Sequence, residues 1–149
     1  MKLDEKGYKA LHDREGLRLK PYLDTRGVPT ISLGVTYYPN GRKVTMQDKP
    51  LTIEEAERLG KVIADRFASE VTTLIKSEVN QNQFNALVSI AYNIGINGFK
   101  TSSFLKLVNK NPNDPKIKEA IMLWTKNKEL IGRRKSEANQ YFSCGLIKD

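Results

Sequence analysis

The chain has 149 residues, of which 39% are hydrophobic and 28% are charged. This composition predicts one globular domain rather than a disordered chain. No segment approaches the roughly 18 consecutive apolar residues of a membrane span, and the charged N-terminal residues do not resemble a cleavable signal. The formal net charge of +8 favours polyanionic partners, which include nucleic acid, anionic membrane surfaces and bacterial cell-wall polymers. The single cysteine, Cys144, excludes an internal disulfide framework and is interpreted as an incidental thiol.

The first third of the chain predicts one helix and then a small, irregular β-region. Apolar residues recur at helical spacing from Asp4 to Arg14, and Gly16 can end this helix in the left-handed conformation, which places Glu15 at its exit. The following residues, LKPYLDTRGVPTISLGVTYY, contain β-formers interrupted by proline and glycine. They predict short twisted strands, and a second hairpin is predicted around residues 39–41.

The remainder of the chain predicts helices. Thr52 and Glu55 have the spacing of a capping box, and the helical periodicity after them predicts one long helix over about residues 52–78. Shorter helices are predicted over residues 83–94, 103–109, 114–124 and 132–142. Trp124, at helical spacing from Ile117 and Ile121, is interpreted as a core residue.

The predicted fold is a mostly helical α+β domain that spans residues 1–149. A small β-containing lobe is expected at about residues 15–50 and a helical lobe at about residues 80–149. The long helix would connect the two lobes, and the N-terminal helix would lie at their junction.

Two acidic residues near the start of the chain are candidates for acid and base catalysis. Hydrolysis of a glycosidic bond needs one protonated carboxyl group and a second carboxylate that activates water, about 6.5 to 9.5 Å apart when the water lies between them. Glu15 precedes apolar Leu17 and Leu19, so burial could raise its pKa, whereas Asp24 is expected in a polar turn that keeps it ionised. The hydroxyl of Thr30 could position the water. Taken alone, the two acids would also fit solvated surface carboxylates.

Three separated motifs carry a family resemblance. They are EGLRLKPYLD and TRGVPTISLG from residue 15 to residue 34, NQNQFNALVSIAYNIGINGFKTSS from residue 80, and GRRKSEANQYF from residue 132. Together they resemble the phage-type lysozyme (endolysin) family, glycoside hydrolase family 24, over nearly the whole chain. The resemblance implies a two-lobed lysozyme fold and inverting hydrolysis of the β-1,4 bond between N-acetylmuramic acid and N-acetylglucosamine in peptidoglycan, which causes lysis of the bacterial cell.

The resemblance also implies residue roles. Glu15 would be the general acid, Asp24 would activate the water and Thr30 would help to position it. Three further residues would bind the glycan on the opposite wall of the cleft: Tyr92, Asn93 and Ser102. The alternatives to glycan binding are structural: Ser102 could cap a helix, and Tyr92 and Asn93 could lie at a helix end. Arg133 or its neighbour Arg134 would reach across to Glu15 or Asp24, or lie on a solvated helix face.

Two residues depart from the family pattern. Ser32 and Val35 stand where members often have glycine and histidine, and Ser32 places a side chain where glycine allows close approach. Neither is one of the proposed acids, so changes in cleft shape or stability are expected rather than loss of chemistry.

No metal or cofactor is predicted, because the chain contains no cluster of residues at ligand spacing and His12 is interpreted as structural or solvated. The expected partner is bacterial peptidoglycan, and the protein is expected to be a monomer without stable membrane insertion. It would be made in the host bacterial cytoplasm and act on the cell wall after delivery or release. A catalytically degenerate wall-binding or interaction module is the alternative, and nucleic-acid binding has only the basic charge behind it.

Overall fold

The computed structural model describes residues 1–143, and Cys144 lies outside this range. In chain order the elements are α1 (Glu5–Glu15), β1 (Arg18–Leu23), β2 (Pro29–Ser32), α2 (Ile53–Leu74), α3 (Gln81–Ile94), α4 (Ile96–Thr101), α5 (Ser103–Lys110), α6 (Lys116–Met122) and α7 (Lys128–Phe142). Within the described range, no helix combines the length and the apolar character that crossing a membrane requires.

The chain divides into two compact units. The hairpin unit comprises residues 8–66, and the helical unit comprises residues 1–7 together with the residues from 67 onward. The divisions fall inside α1 and α2, so each of these two helices contributes residues to both units.

The hairpin unit contains a two-stranded antiparallel sheet. Tyr22 pairs with Thr30 and Leu23 with Pro29, but Arg18 pairs with Ser32, so β1 carries a bulge between Arg18 and Tyr22. A bulge bends the strand and changes the direction of the side chains that follow it. Buried apolar side chains from α1, β2, the following loop and α2 form the core of this unit: Leu11, Ile31, Leu33, Val35, Val44 and Ile63.

The predicted second hairpin forms as a turn rather than as a second strand pair. Tyr37 and Lys43 make an isolated antiparallel bridge, and the N–H of Tyr38 donates to the carbonyl of Arg42 at 2.8 Å. The Asp48 carboxylate accepts hydrogen bonds from the Tyr38 hydroxyl and from the Thr45 backbone and hydroxyl. One carboxylate therefore organises this loop.

The helical unit is built around α3. Residues 83–91 of this helix are buried on every side, which is typical of a central helix. It packs most extensively against α7, and α6 packs against both α5 and α7. Two of the core aromatic rings, Phe99 and Phe104, meet edge to face with centroids 5.6 Å apart.

Several predicted helix bounds are wrong by a few residues. The capping box that starts α2 is confirmed, because Thr52 and Glu55 exchange hydrogen bonds of 2.9 and 3.1 Å, but the helix ends at Leu74 rather than near residue 78. The helix predicted through residue 124 ends at Met122, so Trp124 follows it and is only partly buried. Helix α4 was not predicted, and α7 begins at Lys128, before the predicted start at residue 132.

Candidate active site

Glu15 is the last residue of α1. The chain turns immediately after it, because Gly16 adopts a φ of 74° and its N–H donates to the His12 carbonyl at 2.9 Å. Glycine adopts this left-handed conformation without the strain that a β-carbon brings. The Glu15 side chain is partly buried, and the residue lies three positions before the start of β1. Tyr22 is part of this strand, and Asp24 follows its last residue.

Asp24 is locked into the turn between the two strands. Its Oδ1 atom accepts backbone hydrogen bonds from Arg26 at 2.8 Å and from Val28 at 2.9 Å. Its own N–H donates to the Val28 carbonyl at 3.0 Å, and Gly27, with φ of 77°, closes the turn. The carboxylate therefore has one oxygen fixed by the backbone.

The environment of Asp24 favours its ionised form. Partial burial would raise the pKa of this carboxyl, but the hydrogen bonds from the Val28 and Arg26 backbone and the charge of Arg26 outweigh it and lower the pKa below its ordinary value. The Arg26 guanidinium lies 3.4 Å from Oδ2, and its side chain is 76% exposed, so this ion pair is a weak contributor. An ionised Asp24 is what a general base requires.

Thr30 lies on β2 and shares a partner with Asp24. Its hydroxyl donates to the Val28 carbonyl at 2.8 Å, while the N–H of the same Val28 donates to Asp24. The residue is buried. Because the hydroxyl proton is already donated, Thr30 can only accept a hydrogen bond from a water molecule.

Tyr22 lies on β1 between the two candidate acids, and the sequence reasoning did not single it out. It pairs with Thr30 across the sheet, and the Arg18 guanidinium lies 4.5 Å from the centre of its ring. Burial raises the pKa of Tyr22, and the charge of Glu15 and that of Asp24 raise it further, whereas Arg18 lowers it. The charges of Glu15 and Asp24 therefore act on the same phenol in the same direction. The signal was its position two residues before Asp24 on a predicted strand.

Ser32 and Val35 are both buried, and neither is exposed at the surface. Ser32 adopts a φ of 58°, the conformation that favours glycine, and its hydroxyl donates to the Ala56 carbonyl on α2. Val35 exchanges backbone hydrogen bonds of 2.8 and 2.9 Å with Ile31. Ser32 therefore links the sheet to α2, and Val35 is a core residue of the hairpin unit.

In the helical unit, Tyr92 and Ser102 both have structural partners. The Tyr92 ring packs against Phe67 with centroids 5.1 Å apart. Ser102 is the N-cap of α5, since its hydroxyl accepts from the Leu105 N–H at 3.2 Å and donates to the Phe99 carbonyl at 2.8 Å. The side chain of Ser102 has only one remaining lone pair for a ligand.

Asn93 belongs to a network that includes a buried arginine. The Arg134 guanidinium is fully buried and donates to the Asn93 Oδ1, to Glu137 and to the Trp124 carbonyl. The alternative of a solvated Arg134 is therefore wrong, because its side chain is fully buried. That Arg134 reaches Glu15 or Asp24 stays a prediction. Arg133 donates to Glu137 at 3.1 Å, and that it also reaches Glu15 or Asp24 stays a prediction.

The chemistry of these residues is that of two carboxyl groups and several hydrogen-bond donors. Within residues 1–143, no group of three or more histidine, cysteine, aspartate or glutamate side chains is arranged to hold a metal ion. Two carboxyl groups in different environments suit hydrolysis of a glycosidic bond, in which one acts as general acid and the other as general base.

A family model described as phage lysozyme matches residues 12–137, which include every candidate site residue. The chain belongs to the phage lysozyme family. The endolysin of Salmonella phage P22 is 33% identical over 147 residues, which cover 96% of this chain and 99% of that protein. The sequence-based assignment to this family is therefore confirmed.

Solved structures share the fold of this phage lysozyme. The endolysin from Escherichia coli O157:H7 phage FAHEc1 has a TM-score of 0.86 at 35% identity, over 99% of this chain and 98% of that chain. The muramidase domain of SpmX from Asticaccaulis excentricus has a TM-score of 0.80 at 27% identity, over 96% and 99% of the two chains. The mostly helical α+β fold is confirmed, and the protein is a lysozyme-type peptidoglycan hydrolase.

Proposed function

We propose that this phage lysozyme hydrolyses the β-1,4 bond between N-acetylmuramic acid and N-acetylglucosamine, with Glu15 as general acid and Asp24 as general base. The observation that carries the proposal is the placement of the two carboxyl groups: Glu15 ends α1 just before β1, and Asp24 is fixed by two backbone N–H groups just after β1. Two acids at the two ends of one short strand can act on opposite sides of one bond if the strand turns them toward the same substrate. The lowered pKa of Asp24 supports its role as the base.

The hydrogen bonds around Thr30 support a specific way to hold the attacking water. A water molecule would donate one proton to the Oδ2 of Asp24, which only the exposed Arg26 side chain approaches among the described contacts. Its other proton would go to the Thr30 Oγ1, which has already given its own proton to the Val28 carbonyl. The lone pair of the water would then be directed at the anomeric carbon. Direct attack by water inverts the configuration at this carbon.

We further propose that Tyr92, Asn93 and Ser102 contact the glycan, and that no cofactor takes part. Tyr92 would offer a ring face, Asn93 an amide, and Ser102 the remaining lone pair of its hydroxyl. The protein would be a monomer, would be made in the host cytoplasm and would reach the wall after delivery or release. Cleavage of enough glycan strands would lyse the cell.

The test is the chemistry of the ends released from purified peptidoglycan. Digested material is reduced with borohydride and its sugars are identified by mass spectrometry. Wild-type protein is expected to produce muramitol ends, and Glu15→Gln, which cannot deliver a proton, is expected to lose at least about a thousandfold in rate. Glu54→Gln, an exposed acid on the first turn of α2, is the matched control and should keep full activity.

Two results would contradict the proposal. Glucosaminitol ends would mean that the other glycosidic bond is cut. If folded wild-type protein sediments with the wall but releases no ends, the chain is a catalytically degenerate binding module.

A further inference from the structure

Arg134 on α7 is a fully buried cation with three different acceptors. Its Nε donates to the Trp124 carbonyl at 3.0 Å, one terminal nitrogen donates to Glu137 and the other donates to the Oδ1 of Asn93. These acceptors lie on α7 itself, at the end of α3 and in the segment after α6. The planar guanidinium holds its donors in fixed directions, whereas the three N–H groups of a lysine ammonium share one rotatable nitrogen and cannot span acceptors this far apart.

Glu137, the charged partner of Arg134, is also fully buried and held on several sides. Its Oε2 accepts from the Ser89 hydroxyl at 2.6 Å and from the Arg133 Nε at 3.1 Å. Arg133 in turn donates to the Ser89 carbonyl at 3.1 Å. The carboxylate therefore fixes the Arg134 guanidinium in one orientation.

A buried charge cluster stabilises a core less than apolar side chains of similar volume often do. Removing ions from water opposes folding, and well-packed apolar side chains often stabilise a core as well or better. The cluster sets a direction, since the guanidinium is held by atoms on α3, on α7 and in the segment after α6. The group whose direction it sets at the surface of the unit is the Asn93 amide.

The Arg134 contact determines which way the Asn93 amide points. An arginine has only donors, so the atom that faces it must be the carbonyl Oδ1, and the Nδ2 group points away. No hydrogen bond to Nδ2 occurs within residues 1–143, although every buried side-chain nitrogen or oxygen described there has a partner. The Nδ2 group of this partly buried residue is therefore open to solvent and has two protons to donate.

We propose that Arg134 is a positioning residue, which clamps Asn93 so that its Nδ2 donates to the acetamido carbonyl of a bound N-acetyl sugar. This deepens the proposed function and rests on it, because it names the group on the glycan that the helical unit recognises. Glu137 and Ser89 act one step further away, since they hold the Arg134 guanidinium in place.

Binding rather than turnover tests the role of Arg134. All variants carry Glu15→Gln to prevent hydrolysis, and the ligand is a tetrasaccharide of alternating N-acetylglucosamine and N-acetylmuramic acid, measured by isothermal titration calorimetry. Arg134→Lys and Asn93→Ala are each expected to weaken binding about tenfold. The double variant is expected to bind no more weakly than Asn93→Ala alone, because both changes remove the same hydrogen bond.

Two controls separate positioning from general loss of stability. Tyr141→Phe removes another buried hydrogen bond of α7, from the Tyr141 hydroxyl to the Pro112 carbonyl at 2.7 Å, and should lower the unfolding temperature without changing the dissociation constant. With a de-N-acetylated tetrasaccharide, the parent and the Arg134→Lys variant should bind equally, since the acceptor is missing.

Asn93→Asp keeps the test decisive even if Arg134→Lys does not fold. Aspartate retains an acceptor for Arg134 but has no Nδ2 donor, so it should fold stably and bind the N-acetylated ligand about tenfold more weakly. Unchanged binding by Asn93→Asp, additive losses in the double variant, an equal loss in Tyr141→Phe or no binding by the parent would each overturn the inference. Failure of the proposed hydrolysis is separate, because it appears as missing muramitol ends in protein with an intact Glu15.

Discussion

Asp24 has both a structural and a chemical role, and the two roles use different properties of its carboxylate. The hydrogen bonds from Arg26 and Val28 need only an acceptor oxygen, whereas activation of water needs the negative charge. Asparagine keeps the first property and loses the second, while alanine loses both.

We expect Asp24→Asn to keep nearly the stability of the wild type, while Asp24→Ala loses about 2 kcal/mol because two backbone N–H groups in the turn lose their partner. Both variants should lose hydrolysis. Urea denaturation and the release of reducing ends measure the two effects separately. Equal stability of the two variants would contradict the structural role.

Ser32 shows how one residue can combine strain with a compensating contact. Its left-handed backbone conformation is unfavourable for a residue with a β-carbon, but its hydroxyl bonds to the Ala56 carbonyl.

Ser32→Ala should therefore lose about 1 to 2 kcal/mol of unfolding free energy, since it keeps the strain and removes the hydrogen bond. Ser32→Gly should stay within about 1 kcal/mol of the wild type, because it removes both. Chemical denaturation compares them, with the exposed Ser103→Ala as a control that should have little effect. A Ser32→Gly variant that is less stable than Ser32→Ala would contradict this explanation.

At the scale of elements, the sequence predicts most accurately those helix ends that are determined by residues close together in the chain. The capping box of Thr52 and Glu55 is a local pattern, and α2 begins at the residue that this pattern predicts. Helix α4, from Ile96 to Thr101, has glycine before and within it, and nothing local indicates a helix there. The start of α7 at Lys128 was also missed, because Gly132, near the start of this helix, weakens the helical pattern.

The loop that precedes α2 is stabilised in a pH-dependent way. Hydrogen bonds from Tyr38 and then from Thr45 lower the pKa of Asp48, and Arg42 contributes in the same direction. A carboxyl whose pKa is lower in the folded state stabilises the fold above its unfolded pKa of about 3.9, and this contribution is lost as the pH falls through the folded value.

We therefore expect Asp48→Asn to be less stable than the wild type at about pH 7, with the difference closing as the pH falls below about 4. Urea midpoints over this range measure it. Asp13→Asn provides the control, because the Asp13 side chain is 61% exposed and forms a solvent-exposed ion pair with Lys9, so little change is expected at either pH. A stability difference that stays constant as the pH falls would exclude the proposed origin.

At the scale of the whole molecule, the three motifs identified the family because residues 12–137 match it in one order. The buried network of Arg134, Glu137 and Asn93 could not be found in this way, since its members lie on two helices and only tertiary contact joins them. The spacing of Arg134 and Glu137 on one helix was the local part of that signal. The division into lobes at about residues 15–50 and 80–149, with the long helix as their connection, stays a prediction.

The net charge of +8 predicts that wall association depends on salt. We expect the fraction of the Glu15→Gln variant that pellets with purified walls to fall between about 50 and 500 mM salt, because the charges are screened. Pelleting that does not change over this range would exclude a long-range electrostatic contribution.

The most direct test of the division of roles between Glu15 and Asp24 is the configuration of the sugar end at the moment it is released. Proton NMR spectra recorded during hydrolysis of a soluble peptidoglycan oligosaccharide report the first anomer before it equilibrates. Attack by a water that Asp24 activates predicts the α anomer from the β-linked substrate. The β anomer as first product would contradict this account, because it would require a covalent intermediate and a nucleophilic carboxylate.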